Sequence, residues 1–178
     1  MAIKKLGIVK VTSGKLIVGD PCYDDSMDYE KLAAVNGDWK AQVSISNSKG
    51  FNEGRVVSLT LAHSSVHPDQ SKQRLATLGV DSGQMSAFDA KSYRKDELAK
   101  GMKTPKWLTA KRLREEPKGE MFYGACCALT CSDESEGLKG GNFKEVGVVC
   151  ESGWGDGSYS LYIWKKGNKV VKVQVKFL

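Results

Sequence analysis

Histidine is nearly absent from this sequence: His63 and His67, in "AHSSVH", are the only two among 178 residues. So little imidazole leaves scant material for a histidine-based zinc site or an acid-base triad. The pair lies four apart, a spacing that on a helix would offer both rings to one metal. Here they follow a strand-like run, and Pro68 biases His67 away from helical dihedrals. Ser64 and Ser65 stand beside them without a G-x-S-x-G elbow, so serine-hydrolase chemistry lacks its frame. Long apolar runs are missing too. No segment approaches the roughly 20 residues of a membrane helix, and "MAIKKLGIVKV" has no signal-peptide core. The expected location is the cytosol (host cytoplasm if phage-encoded). No G-x-x-x-x-G-K-[ST] loop occurs, which excludes a P-loop.

Five cysteines, Cys22, Cys126, Cys127, Cys131 and Cys150, make an odd set. Without an export signal they read as reduced thiols, not as a disulfide framework. Cys126 and Cys127 are neighbours in "MFYGACCALTC". On a strand they would point to opposite faces, which does not suit two ligands of one zinc, so core packing is the better reading. No cofactor, metal ligand or catalytic residue is assigned.

What the chain does contain is period-two alternation. "GIVKVTSGKLIVGDP" reads as a hairpin turning at Thr12, Ser13 and Gly14. "GDWKAQVSIS" places Trp39, Ala41, Val43 and Ile45 on one face, and "RVVSLTLAH" does the same with Val57, Leu59 and Leu61, so the two are expected to pair antiparallel. The last 20 residues predict another hairpin. Matching apolar faces sets Ile163 opposite Val171 and Leu161 opposite Val173, across a three-residue loop Lys166, Gly167, Asn168. Helical signals are few: "DDSMDYEKLAAVN" after Asp25 or Ser26, a stretch after Asp89, and "TPKWLTAKRLREEP". The expected fold is mainly β, one domain over residues 1–178, an antiparallel sandwich or partly open barrel with a basic helical insertion at 91–120.

The net charge is +6 with a pI near 9.0. Residues 91–120 hold ten Lys or Arg against five Asp or Glu, a balance of 10 − 5 = +5 that leaves +1 elsewhere. A basic run is commonly a solvated helical face; its functional reading is nucleic-acid contact through Lys111, Arg112 and Arg114, helped by Tyr93 and Trp107.

Three aspartates stand at predicted strand ends: Asp20 in "IVGDPCY", Asp81 in "GVDSGQM" and Asp156 in "SGWGDGSY". Loops at one end of a sandwich could bring them together around a hard cation or for acid-base work. Asp beside Gly or Pro is also ordinary turn chemistry, and spacing alone favours that reading. Trp154, between two glycines, is either tucked under its loop or exposed as a stacking platform. Tyr23 and Tyr159 sit near Asp20 and Asp156, and an aromatic beside a carboxylate at two strand ends can line a small-ligand pocket.

Taken together, "GKLIVGDPCY", "VDSGQM" followed by "FD", and "SGWGDGSYSLYIW" resemble an uncharacterised family of small bacterial and phage proteins with D-P-x-Y, D-x-G and G-x-G-D-G-x-Y blocks. The likeness covers the two ends and Gly79 to Asp89; residues 91–120 have no counterpart in it. It implies positions but no chemistry, and a phage origin would imply an accessory role. The expected function is therefore non-enzymatic binding of a small anionic ligand or a host or virion protein, through Asp20, Tyr23, Asp81, Trp154, Asp156 and Tyr159. The alternatives are an aspartate-based metal-dependent phosphoesterase and a nucleic-acid-binding protein using the basic segment.

Overall fold

A computed structural model describes residues 1–24, 29–109, 112–113, 118–130 and 139–178. Among the described residues eleven strands form two antiparallel sheets: β1 (Ala2–Val11), β2 (Lys15–Gly19), β3 (Tyr29–Ala33), β4 (Gly37–Ile45), β5 (Val56–His63), β6 (Gln73–Val80), β7 (Gln84–Asp89), β8 (Gly141–Phe143), β9 (Gly147–Glu151), β10 (Gly157–Lys166) and β11 (Lys169–Lys176). One sheet has the order β1-β4-β5-β11-β10-β6 and the other β3-β2-β7-β9-β8. Two helices are fully described, α1 (Asp96–Ala99) and α2 (Glu120–Thr130). The fold is the expected mainly-β antiparallel sandwich, with no closed barrel.

Alternation explains the central core. Val9, Trp39, Val43, Leu59, Leu61, Leu161, Ile163 and Val173 from the first sheet meet Leu16, Val18, Met85, Ala87, Val148 and Cys150 from the second. The second sheet is buried on its other face as well, where Ile17, Phe88 and Val149 pack against Phe122, Ala125 and Cys126 of α2. This explains why all six residues of β7 are buried. Its polar members Gln84, Ser86 and Asp89 therefore need partners inside the protein.

The β4–β5 pair forms as expected, Trp39 facing His63 and Val43 facing Leu59. A bulge at Ser44/Ile45 slips the register so that Val56, not Val57, enters the core. The final hairpin corrects the expected register. Ile163 faces Val173 and Leu161 faces Val175, and Lys166 pairs with Lys169 across a two-residue Gly167-Asn168 loop. Gly167 takes φ +57° while Asn168 does not turn left-handed, the pattern of a type II′ turn. A bulge between Trp164 and Lys165 restores the apolar match. That bulge was the device missing from the three-residue solution.

The expected first hairpin does not form. β1 pairs with β4 and β2 pairs with β3 and β7, so the turn at Thr12 to Gly14 carries the chain from one sheet to the other. It is wrapped around buried Asp89. Oδ2 accepts the Thr12 N–H at 2.8 Å and the Thr12 hydroxyl at 2.7 Å, and Oδ1 accepts the Ser13 hydroxyl. The helix expected after Asp25 or Ser26 is also replaced. Residues 25–28 lie outside the described residues, and Tyr29–Ala33 is an edge strand with only Leu32 turned inward. An edge strand needs no helical apolar stripe.

Within 91–120, α1 has four residues. Of the third helical stretch, 110, 111 and 114–117 lie outside the described residues and Arg112 and Leu113 are helical. The apolar run around Cys126 and Cys127 is helical rather than extended. Asp96 caps α2, accepting the Gly119 N–H at 2.7 Å and the Phe122 N–H at 2.8 Å.

Candidate functional site

Asp20 follows β2 and is fully buried. Its Oδ1 accepts the Cys22 N–H at 2.9 Å and the Ser82 hydroxyl at 2.5 Å, and its Oδ2 accepts the N–H groups of Asp81 at 2.9 Å and Ser82 at 2.8 Å. The carboxylate thus ties the turn at 81–83 to the turn at 20–23. Tyr93 Oη donates to the carbonyls of Asp20 and Tyr23, and Arg94 Nη1 donates to that of Cys22 at 2.9 Å. The first residues after β7 therefore hold this turn in place. Tyr23 is buried, and burial first, then its hydrogen bond to the Asp81 carboxylate, raises its phenol above the ordinary value. Asp81 itself is exposed.

The turn before β10 joins the same end. Ser152 donates its N–H to the Gly83 carbonyl at 3.0 Å, and a Cβ on Gly83 would lie 3.6 Å from the Cα of Gly155. The hydroxyls of Ser152 and Tyr159 both donate to the Gly155 carbonyl, at 2.7 and 2.9 Å. Trp154 is 38% exposed, its ring 4.1 Å from that of Phe51, with the Arg55 guanidinium 4.0 Å above it. Asp156 is exposed and, among the described residues, makes no hydrogen bond or ion pair. So the three aspartate turns share one end of the sandwich, while their carboxylates do not converge. Among the described residues no group of three or more His, Cys, Asp or Glu is placed to hold a metal ion.

The histidines are apart in role as well. His63 Nδ1 lies 2.8 Å from the Ser65 hydroxyl and its ring packs near Trp39, whereas His67 meets Asp69 at 2.9 Å on the surface. Of the three residues expected to contact nucleic acid, Lys111 and Arg114 lie outside the described residues. Arg112 bonds Glu120 at 2.8 Å and stacks 4.9 Å over Trp107.

Ser82 also opens onto a cleft of about 430 Å³ lined by Gln84, Pro105, Trp107, Arg112, Tyr123 and Cys127. Ser82, Tyr123 and Cys127 are linked through their side chains, and burial, then Cys127, raises the Tyr123 phenol above its ordinary value. Near the clamp, burial and the Asp20 carboxylate push the Cys22 thiol up to about 12. The cleft's most telling member is Gln84, 3% exposed, whose Nε2 donates to Cys127 Sγ at 3.3 Å. Its Oε1 is buried and has no hydrogen-bond partner among the described residues. Turning the carboxamide over would pair the oxygen with the thiol and strand the nitrogen instead. One end is left over either way.

Gln84 and Tyr123 were not singled out from sequence, and Cys127 was read only as core packing. The signal was available in "DSGQMSAFD", where a glutamine opens a strand that is otherwise small or apolar. Reading it required knowing that both faces of β7 are covered.

No curated protein and no solved structure matches the chain. Residues 9–175, including the basic segment, match one family model described as "Protein of unknown function (DUF4241)". That span takes in the Asp20 clamp, the Gln84 cleft and the glycine turn before β10, and the chain belongs to this family of unknown function.

Proposed function

We propose that this is a non-enzymatic binding protein that takes a small anionic ligand in the cleft beside the Asp20–Ser82 clamp. The observation that carries the reading is Gln84, a residue of the cleft wall whose buried Oε1 has no hydrogen-bond partner among the described residues. Leaving a buried acceptor unpaired costs about 1–3 kcal/mol, and a ligand N–H or O–H placed against it recovers that cost. Trp107 and Tyr123 offer apolar ring surface for a planar ligand, and the Arg112 guanidinium, which also bonds Glu120, brings N–H donors to the cleft wall that a negative group can share. Four unbridged cysteines, Cys22, Cys126, Cys127 and Cys150, fit a reducing compartment such as the cytosol. Native mass spectrometry of freshly purified protein tests the reading: a small-molecule adduct is expected on the wild type and not on Gln84→Met. An adduct retained equally by both would place the ligand elsewhere.

A protein partner is the second reading. It is favoured by Phe51, 79% exposed, stacked with Trp154 beneath Arg55, since Trp and Arg in an exposed cluster are typical interface anchors. A phage-encoded accessory role belongs to this reading and rests on the motif resemblance alone. Under it, a Phe51→Ser/Trp154→Ser variant keeps its melting temperature and loses the partner that crosslinks at these positions. A partner retained by that variant would end it.

A further inference from the structure

The outer face of the six-stranded sheet is a second place where chemistry collects. Tyr162 and Trp164 stand two apart on β10 and so share that face, about 7 Å from one another along the strand. Across from them, Tyr162 pairs with Arg74 on β6 and with Gln174 on β11, and Trp164 pairs with Lys172. The Lys72 ammonium lies 3.8 Å from the centre of the Tyr162 ring, and that of Lys172 lies 4.3 Å from the Trp164 ring. Lys176 comes within 5.9 Å of Tyr162. Among the described residues none of Lys72, Arg74, Lys172 and Lys176 has a carboxylate partner. Burial lowers the Lys72 ammonium below its ordinary value, and the charges of Lys176 and Lys172 lower it further, so the group is held together against its own repulsion. From Tyr159 to the end the chain has five lysines and no acidic residue, so the positive strip continues to the hairpin tip.

We infer that this face binds single-stranded nucleic acid, the lysines and Arg74 contacting phosphates while Tyr162 and Trp164 stack on neighbouring bases. Uncompensated cations on a flat surface attract a polyanion. Two rings at adjacent same-face positions of one strand add what a phosphate-only surface lacks, a platform for unpaired bases. The lysines that cover the rings in the free protein leave them as they move to phosphate. The described helices α1 and α2 pack against the other sheet, so neither lies on this face to enter a duplex groove, and a single strand is the better fit.

Fluorescence anisotropy of labelled 20-nucleotide single-stranded DNA and RNA at low salt tests the inference. Binding is expected, with log K falling by about 0.7 per log unit of salt for each phosphate contacted. Trp164→Ala should weaken it about tenfold or more through lost stacking. Lys172→Glu and Lys176→Glu should abolish it, while Lys100→Glu and Lys103→Glu in the basic segment leave it unchanged. Melting temperatures near wild type certify that the variants are folded, and Lys172→Gln serves if Lys172→Glu is not. No binding at low salt would overturn the inference, as would equal affinity for duplex, or binding that survives Trp164→Ala and is displaced by heparin as a polyanion only. Binding lost only in the Lys100 and Lys103 variants would move the interface to the segment singled out by charge count.

Discussion

Ser82 donates its hydroxyl to the buried carboxylate of Asp20 at 2.5 Å, joining positions 62 residues apart in the chain. Together with the N–H groups of Asp81 and Ser82 on the other oxygen, this contact makes the clamp a structural lock that also forms one wall of the cleft. Asp20→Asn replaces one acceptor with a donor facing donors. It should cost about 2–3 kcal/mol in urea unfolding, and Ser82→Ala about 1 kcal/mol. An unchanged midpoint for Asp20→Asn would remove the clamp from the account.

Asp89 gives a pH dependence. Burial alone would raise its carboxyl, but the hydrogen bonds from Ser13, Thr12 and the Lys91 N–H outweigh that and hold it below the ordinary carboxylate value. A group lowered on folding stabilises the native state above its unfolded value and loses that contribution as pH falls through the folded one. The stability difference between wild type and Asp89→Asn should be flat near neutrality and shrink below about pH 4. A difference that grows in acid would contradict it.

Gly147 tests the helix-covered layer. A Cβ there would sit 2.0 Å from Cδ1 of Phe88, whose ring packs on Phe122 at 4.8 Å and Phe143 at 5.3 Å. Gly147→Ala should destabilise by about 1–3 kcal/mol, as overpacking does. The measurement is thermal unfolding, and a neutral outcome would show that this aromatic cluster yields easily.

Gln84→Met is expected to go the other way. It removes the unpartnered acceptor at nearly constant volume and loses only the weak bond to Cys127, so the free protein should be unchanged or stabilised by up to about 1 kcal/mol. Calorimetry of protein freed of any co-purified ligand decides this. A loss of several kcal/mol would mean that the carboxamide serves the fold.

Much of this was legible in the sequence, and the failures have definite causes. The β4–β5 pair could be read because a polar loop separates two alternating faces. The last hairpin was read with the right faces but the wrong loop, since a bulge near Trp164 uncouples loop length from face matching. The turn at Thr12 to Gly14 has hairpin chemistry, yet its partners are distant, and only the place of Asp89 reveals a crossing between sheets. Helix α2 is apolar nearly all round because it is buried under Leu108 and Pro105 as well as against the sheet, so no stripe marked it as helical. The three aspartate turns were found from sequence and do share one end. Beside the 81–83 turn, between it and the segment from Pro105 to Cys127, lies a cleft whose decisive residue is Gln84. Charge counting by segment also hid the strip on β10 and β11, because acidic residues elsewhere cancel its lysines in the sum.

The most direct measurement is an amide NMR titration that follows the side-chain NH₂ of Gln84 while the protein is screened against small planar anions bearing N–H or O–H donors. Binding in the cleft shifts the Gln84 side-chain signals together with the backbone signals of Ser82, Tyr123 and Cys127, and Gln84→Met abolishes the response. Binders that leave those signals in place, or that bind Gln84→Met as well as wild type, would contradict binding in the cleft.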